Sequence, residues 1–543
     1  MPDKPPNILL LTTDQHRFNA LGALCQGLVQ TPSLDRLASQ GCMWINAHSP
    51  NPVCVAARHH ILTGLGPSYH GLTHNVYRAL PPELPVLPRI LSQYGYSTAG
   101  IGKMHFYPVR EHHGFHHLRL MEEIPGHIDD DEFLAYLRDA GLGHLLHIHG
   151  VRHLGYQLPQ RSLLDASHHG SAWVARESCR FIEANRKRPW FLWASWIAPH
   201  PPANVSDAYA DLYQNRPLPA VAGLSGSEAP DFRRFRELYF AAITQADHAI
   251  GQLLAHLEDL GLARDTLVIF TSDHGEMAGD LGLWTKELPY EASVRVPMVL
   301  RWPGRISAGT IQRRFADLND ILPTLLDAAG IDIRVIAQRH GLSCGFPGAS
   351  LLSLNSRRDR TLQYAQWGDL TTDNPRWIMM RNHKWKYIYW FGTGEEELFD
   401  IRRDPHETCN LANAPNQAAA ARLRELRQLA ITQERRWGIP DTIVRGSFRR
   451  LGCARFDAAA RAVSPTWIPR QWPAFIDRWS PEQSRQLQRE IDLVTAHEPL
   501  GSAGRITHFS AAQRAIWWRL FKDRGGSARF YRHLFMDSPA KNE

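Results

Sequence analysis

Asn7-Ile8-Leu9-Leu10-Leu11-Thr12-Thr13-Asp14 is a short apolar run with no polar alternation, and it ends in polar residues. A strand without alternation is buried on both faces, as in a sheet covered by helices on each side. In open α/β sheets of that kind ligands sit beyond the carboxyl ends of the strands, so Asp14 and Gln15 stand where a site is expected. Three further runs end the same way. Tyr96 to Ile101 leads into Gly102-Lys103-Met104-His105, Pro189 to Ile197 into Ala198-Pro199-His200-Pro201-Pro202, and Thr266 to Ser272 into Asp273-His274-Gly275-Glu276. Polar residues gathered at four strand ends predict an α/β fold, doubly wound, with its site along one sheet edge.

The segments between these strands read as their helical cover. Thr31 as N-cap, Pro32 at the first helical position and Gly41 as terminator predict a short helix. Leu84 to Gly95 is a second, and residues 233–260, apolar at Ile243, Ala246, Ile250, Leu253, Leu254 and Leu257 and closed by Gly261, are a long amphipathic third. Val294 to Trp302 reads as a strand and Asp317 to Ala329 as a helix. From about residue 375 the pattern changes to alternation in Trp377-Ile-Met-Met380, Trp385 to Trp390 and Glu397 to Asp400, an antiparallel meander followed by a helix over 416–436. Residues 107–170, rich in histidine and poor in periodicity, are expected as an insertion over the site. The expected organisation is a catalytic α/β domain over 1–365 and a smaller antiparallel-sheet and helix subdomain over 366–436. An Arg- and Trp-rich tail over 437–543 is expected to serve in oligomerisation or as an active-site cover.

Bulk properties exclude several classes. A formal charge of +7 on 543 residues is a mild excess that suits an anionic substrate, and no basic run is interleaved with a nucleic-acid-reading motif. No apolar stretch approaches the roughly 18 to 20 residues a membrane span needs. The N-terminus lacks the charged and apolar regions of a signal peptide. The seven cysteines are scattered, with no C-x-x-C pair for zinc or redox work. A reducing, cytoplasmic setting is expected.

The chemistry centres on Asn51-Pro52-Val53-Cys54-Val55-Ala56-Ala57-Arg58, running on through His59-His60-Ile61-Leu62-Thr63-Gly64. A cysteine at a helix start, with a guanidinium one turn on, sits where amide N–H groups favour negative charge. Taken alone, Cys-x-x-x-Arg is ordinarily a buried cysteine and a surface arginine. Asp14, Gln15, Asp273 and His274 offer two carboxylates, an amide oxygen and an imidazole to a divalent cation. Each of them taken alone is an ordinary strand-end residue.

The Cys54 to Arg58 motif, with Leu62-Thr63-Gly64 and His70-Gly71, resembles the signature of the type I sulfatases of the alkaline phosphatase superfamily. Thr31-Pro-Ser-Leu-Asp-Arg-Leu-Ala, Leu84-Pro-Val-Leu-Pro, Thr271-Ser-Asp-His-Gly-Glu, Arg295-Val-Pro and Asp404-Pro-His-Glu-Thr-Cys-Asn-Leu resemble further family blocks in family order. The resemblance spans residues 5 to about 430. It implies an alkaline-phosphatase-like large mixed sheet between helices. The chain departs from the family pattern at Ala56, where proline is usual, and at Gln15, where sulfatases commonly carry aspartate and phosphonate monoester hydrolases resemble it better.

The resemblance also implies roles. Cys54 becomes formylglycine, made by a maturation enzyme, and its hydrate binds one metal ion and attacks in line; the covalent sulfo-enzyme then collapses to aldehyde. Calcium is the expected ion, with manganese or magnesium as alternatives, held by Asp14, Gln15, residue 54, Asp273 and His274. Arg58 orients the diol. Lys103 and Lys286 hold the anionic oxygens. His200, shared with Lys286, is the acid toward the leaving oxygen, and His105 the base for hemiacetal breakdown. The expected activity is therefore hydrolysis of a small anionic sulfate monoester by a homo-oligomer, arylsulfatase-like. A phosphonate monoester or phosphodiester hydrolase is the alternative within the class, and a non-catalytic anion-binding homologue the alternative outside it.

Overall fold

The computed structural model describes residues 5–123, 130–145, 148–150, 160–223, 230–352, 360–414 and 417–455. Most of the expected tail, 456–543, lies outside the described residues, as do His147 and His153 of the histidine-rich stretch.

Eight strands form the main sheet: β1 (Asn7–Asp14), β2 (Cys42–His48), β3 (Ser97–Gly102), β4 (His117–Leu120), β5 (Trp190–Pro199), β6 (Thr266–Ser272), β7 (Met298–Arg301) and β8 (Thr310–Asp317). Their order is β4-β3-β5-β1-β6-β7-β2-β8. All run parallel except β7, which is antiparallel to β6 and β2, so the sheet is mixed. β1 lies between β5 and β6, and every one of its residues is buried. Its side chains alternate between two cores: Ile8 and Leu10 enter one, with Ile61, Leu62 and Trp193, and Leu9 and Leu11 the other, with Leu253 and Leu257. Complete burial of one such leucine is worth about 1.5–3 kcal/mol, which explains why a run without polar residues is needed here.

The covering helices follow the expected pattern with local differences. The long helix is Pro230–Asp259, and Gly261 follows it at φ 68°. The first helix, Pro32–Ser39, has proline at its start, but Thr31 does not cap it. The Asp247 carboxylate of the long helix takes the free amides instead, from Ser33 at 3.0 Å and Leu34 at 2.8 Å, while the Thr31 hydroxyl bonds Gly22 N and Asp35. A cap supplied from 214 residues away leaves no local signal. The region 107–170 also differs from a simple insertion. Its residues 117–120 form β4, the edge strand beside β3, and Glu132–Asp139 is a helix.

A second sheet of four strands, β9 (Gln363–Trp367), β10 (Trp377–Arg381), β11 (Trp385–Trp390) and β12 (Glu396–Asp400), is antiparallel throughout, and the helix Gln417–Trp437 packs on it. It opens at Gln363, a few residues ahead of the boundary expected from composition. Its other face, with Trp367, Trp377, Met379 and Ile388, closes over Val53 and Ala56. The second sheet therefore forms one wall around the Cys54 motif. No helix among the described residues is long and apolar enough to cross a membrane.

Candidate active site

Because every strand except β7 runs the same way, the carboxyl ends of β1, β2, β3, β4, β5 and β6 share one edge. From the end of β2 the chain turns through 49–53 and is pinned from three directions. Ser49 N donates to Val294 O at 2.7 Å, Gln366 N to Pro50 O at 2.9 Å and Glu287 N to Pro52 O at 3.0 Å. Val53 is extended, Cys54 opens the helix Cys54–Thr63, and Gly64 ends it at φ 67°. All ten helix residues are buried, because the helix lies between the main core, which takes Ala57, Ile61 and Leu62, and the second sheet, which takes Ala56.

At this helix start Cys54 Sγ lies 3.2 Å from His274 Nε2 and 3.7 Å from Asp14 Oδ1. One ligand atom from each of Asp14, Cys54, Asp273 and His274 lies within 4.8 Å of the others, and all four residues are buried. The His274 Nδ1 contact is to Gly275 O at 3.1 Å, and a carbonyl only accepts, so the proton is on Nδ1 and the Nε2 lone pair faces the cluster. Two carboxylates and an imidazole oriented in this way form a donor set that suits calcium, magnesium or manganese.

Arg58 joins the two carboxylates from behind. Its Nε donates to Asp273 Oδ2 and its Nη2 to Asp14 Oδ2, both at 3.1 Å, while Nη1 reaches Lys103 O at 2.6 Å and Ser195 Oγ at 2.8 Å. Lys103 Nζ pairs with Asp14 Oδ2. Lys286 Nζ donates to His200 Nε2 at 2.7 Å and to Gln15 Oε1 at 2.6 Å. Gln15 thus turns its amide oxygen to Lys286, its amide nitrogen to Glu276 and its backbone N–H to Asp273 Oδ1 at 3.0 Å. His105 follows on the loop after β3. Its amide donates to Glu122 Oε1 at 2.9 Å, and its ring Nδ1 is buried with no hydrogen-bond partner among the described residues.

Charge follows this geometry. Burial, and then the Asp14 carboxylate, push the Cys54 thiol up to about 12, so an unmodified Cys54 is a neutral thiol at pH 7. Burial alone would raise the Asp14 carboxyl, but Lys103 and Arg58 hold it well below the usual carboxylate range. Burial alone would lower the Lys103 ammonium, but Asp14 raises it. Burial lowers His200, and burial with the Lys103 charge lowers His105 to about 3.

All ten sequence-derived residues lie on this edge. Sequence reasoning missed Glu122, Glu123, Ser195 and Glu276. Glu123 lies in the stretch read as an insertion, yet its Oε2 pairs with Lys103 Nζ and its Oε1 lies 3.4 Å from His200 Nε2. The alternation His117-Leu118-Arg119-Leu120, with both leucines buried, was the available signal. It marks an edge strand whose carboxyl end delivers the acidic pair.

The family model described as Sulfatase matches residues 6–331, and one described as N-sulphoglucosamine sulphohydrolase, C-terminal, matches residues 279–433. An arylsulfatase of Clostridium perfringens (strain 13 / Type A) is 30% identical over 483 residues, covering 79% of this chain and 94% of that protein. A choline-sulfatase of Rhizobium meliloti (strain 1021) is 28% identical, covering 82% and 92%. Among solved structures, the phosphonate monoester hydrolase of Agrobacterium radiobacter is similar with a TM-score of 0.66 at 24% identity, over 78% of this chain and 96% of that one, a likeness of fold. With the family model spanning more than half its length and the Cys54 motif at the centre of a buried ligand cluster, this chain belongs to the sulfatase family of the alkaline phosphatase superfamily and is an enzyme of the sulfuric ester hydrolase class.

Proposed function

We propose that the enzyme hydrolyses sulfate monoesters, using an oxygen nucleophile on a formylglycine formed from Cys54. The observation that carries this reading is the meeting of Asp14, Cys54, Asp273 and His274, drawn from three distant segments, within 4.8 Å of one another. Asp14, Asp273 and His274, with residue 54 and Gln15 beside them, would hold a divalent cation, calcium first and manganese or magnesium next. When bound, such an ion supplies Lewis acidity toward the nucleophile and the sulfuryl group.

The chain's own side chains take the remaining roles. Arg58 fixes both carboxylates and orients residue 54. Lys103 and Lys286 place two ammonium groups where the oxyanion charge grows, in a buried setting that strengthens them. His200 Nδ1 contacts Pro201 O at 2.6 Å, which turns Nε2, with Lys286 Nζ 2.7 Å from it, to serve the leaving oxygen together with Lys286. His105 is assigned as the base for the final breakdown. The phosphonate monoester alternative is favoured by one feature, Gln15 at a position where sulfatases commonly carry aspartate.

Two measurements test the reading. Peptide mass of the Cys54 segment is expected to show a loss of about 18 Da, the difference between CH2-SH and an aldehyde. Turnover of an aryl sulfate is expected to exceed that of the matching aryl phosphonate monoester and to vanish in Cys54→Ala. A faster phosphonate reaction would select the second reading, and undiminished turnover in Cys54→Ala would remove Cys54 from the mechanism.

A further inference from the structure

Glu123 has no role in the mechanism so far, although it is an acidic side chain in a site built for an anion. Its side chain is 6% exposed. The two residues ahead of it are anchored: Met121 N donates to Gly102 O at 3.2 Å, and Glu122 N to Asp131 Oδ2 at 2.6 Å. The Glu122 carboxylate in turn accepts the amides of Met104 and His105, both at 2.9 Å. Glu123 thus follows directly on an anchored pair of residues, and its two oxygens face two different groups. Oε2 pairs with Lys103, whose other carboxylate partner is Asp14; Oε1 lies 3.4 Å from His200 Nε2.

We propose that Glu123 is a positioning residue for the leaving-group acid: it holds His200 Nε2 toward the departing oxygen with one carboxylate oxygen while pairing with Lys103 through the other. The inference rests on the sulfatase reading, in which His200 serves the leaving oxygen. Three observations carry it. First, the Nδ1 bond to Pro201 fixes the ring, so Nε2, in contact with Lys286 and Glu123, is the nitrogen that can exchange a proton with substrate. Second, Lys286 Nζ lies 2.7 Å from that Nε2, so a proton arriving there meets an ammonium group, and like charges in a buried site repel strongly. A carboxylate on Nε2 offsets that repulsion. Third, Cys54, Glu123 and His200 offer atoms within 4.8 Å of one another, which puts the carboxylate beside the nucleophile's position. The same trio resembles a second cation site, but Lys103 already pairs with Glu123 and Lys286 with His200 Nε2, so a metal would have to displace both ammonium groups.

The test separates an effect on the leaving group from a merely structural one. In the full chain carrying its modification and cation, Glu123→Gln is expected to lower kcat about 10²-fold on an alkyl sulfate, whose alcohol leaves poorly, and less than about 10-fold on nitrophenyl sulfate, with KM on both within about 3-fold. Glu123→Asp, which keeps the charge, is expected to recover part of the alkyl sulfate rate. Equal losses on both substrates, a loss confined to KM, or no loss would overturn the assignment. If Glu123→Gln does not fold, Glu123→Asp decides by the same comparison: a larger loss on the alkyl than on the nitrophenyl ester supports the role, and equal losses end it. The same pair of leaving groups is run as phosphonate monoesters. Which series turns over tests the proposed function, and the dependence on leaving group within that series tests Glu123.

Discussion

Arg58 is wholly buried, and its guanidinium spans Asp14, Asp273, Ser195 Oγ and the Lys103 carbonyl. A planar fork is required for this, because Nε and Nη2 address two carboxylates at once. Arg58→Ala would leave both carboxylates buried beside one fewer cation, and breaking a buried pair in this way costs about 3–5 kcal/mol. The expected outcome is a lower urea midpoint together with loss of turnover. Arg58→Lys restores a charge without the fork and is expected to recover stability in part and turnover hardly at all. An Arg58→Ala enzyme with an unchanged midpoint would mean that the carboxylates are satisfied elsewhere. At this scale the sequence was readable wherever a motif supplied the context. Asp14, Lys103 and His200 each end a run whose burial is plain from its composition. Glu123 was not readable, since an acidic residue on a loop looks like solvated surface until β4 is seen to lie beside β3.

Among the elements, the junction of β3 with its loop has the least tolerance. Gly102 is at φ 96°, and a Cβ there would lie 1.9 Å from Ser195 O of β5. That carbonyl also accepts the Lys103 amide at 3.0 Å. Gly102→Ala therefore meets both a left-handed backbone and a clash with main chain, and neither is relieved by a rotamer change. Strain of this kind costs about 1–3 kcal/mol or more, and it falls on the residue that places Lys103. The expected result is a lower melting temperature and a drop in kcat larger than the stability loss explains. A variant with normal activity would show that β3 and β5 separate easily. Among the elements the sequence did predict, β1, β5, β6 and the long helix have periodicity or unbroken apolar runs. β8, half-exposed over its first five residues, and the cap on the first helix, borrowed from the long helix, leave little local pattern.

For the whole molecule, the buried histidines His59 and His60 on the Cys54 helix, and His70 packed against them, make folding sensitive to acid. Burial lowers His59 to about 3 and His60 to about 4, and lowers His70 well below the ordinary histidine value. The unfolded chain takes up these protons near pH 6.5, and the folded one only at far lower pH. Depressed folded values mean the stabilisation is present above about pH 6.5 and is lost as pH falls toward the folded values, by up to about 1.4 kcal/mol per pH unit for each histidine. Urea midpoints taken at falling pH are expected to drop steeply below that point. A flat profile would show that these rings protonate in place. The order of motifs and the apolar runs sufficed, from the sequence alone, for the α/β class and the family, and for nominating ten side chains that the fold brings together, because strand burial and strand-end chemistry are written in consecutive residues. Only the tertiary structure decided which strands are neighbours, and with them the second sheet's place over Ala56, the Asp247 cap and the entry of Glu123 between Lys103 and His200. Those contacts join residues far apart in the chain, where the free energy of packing, and no local pattern, selects the partner.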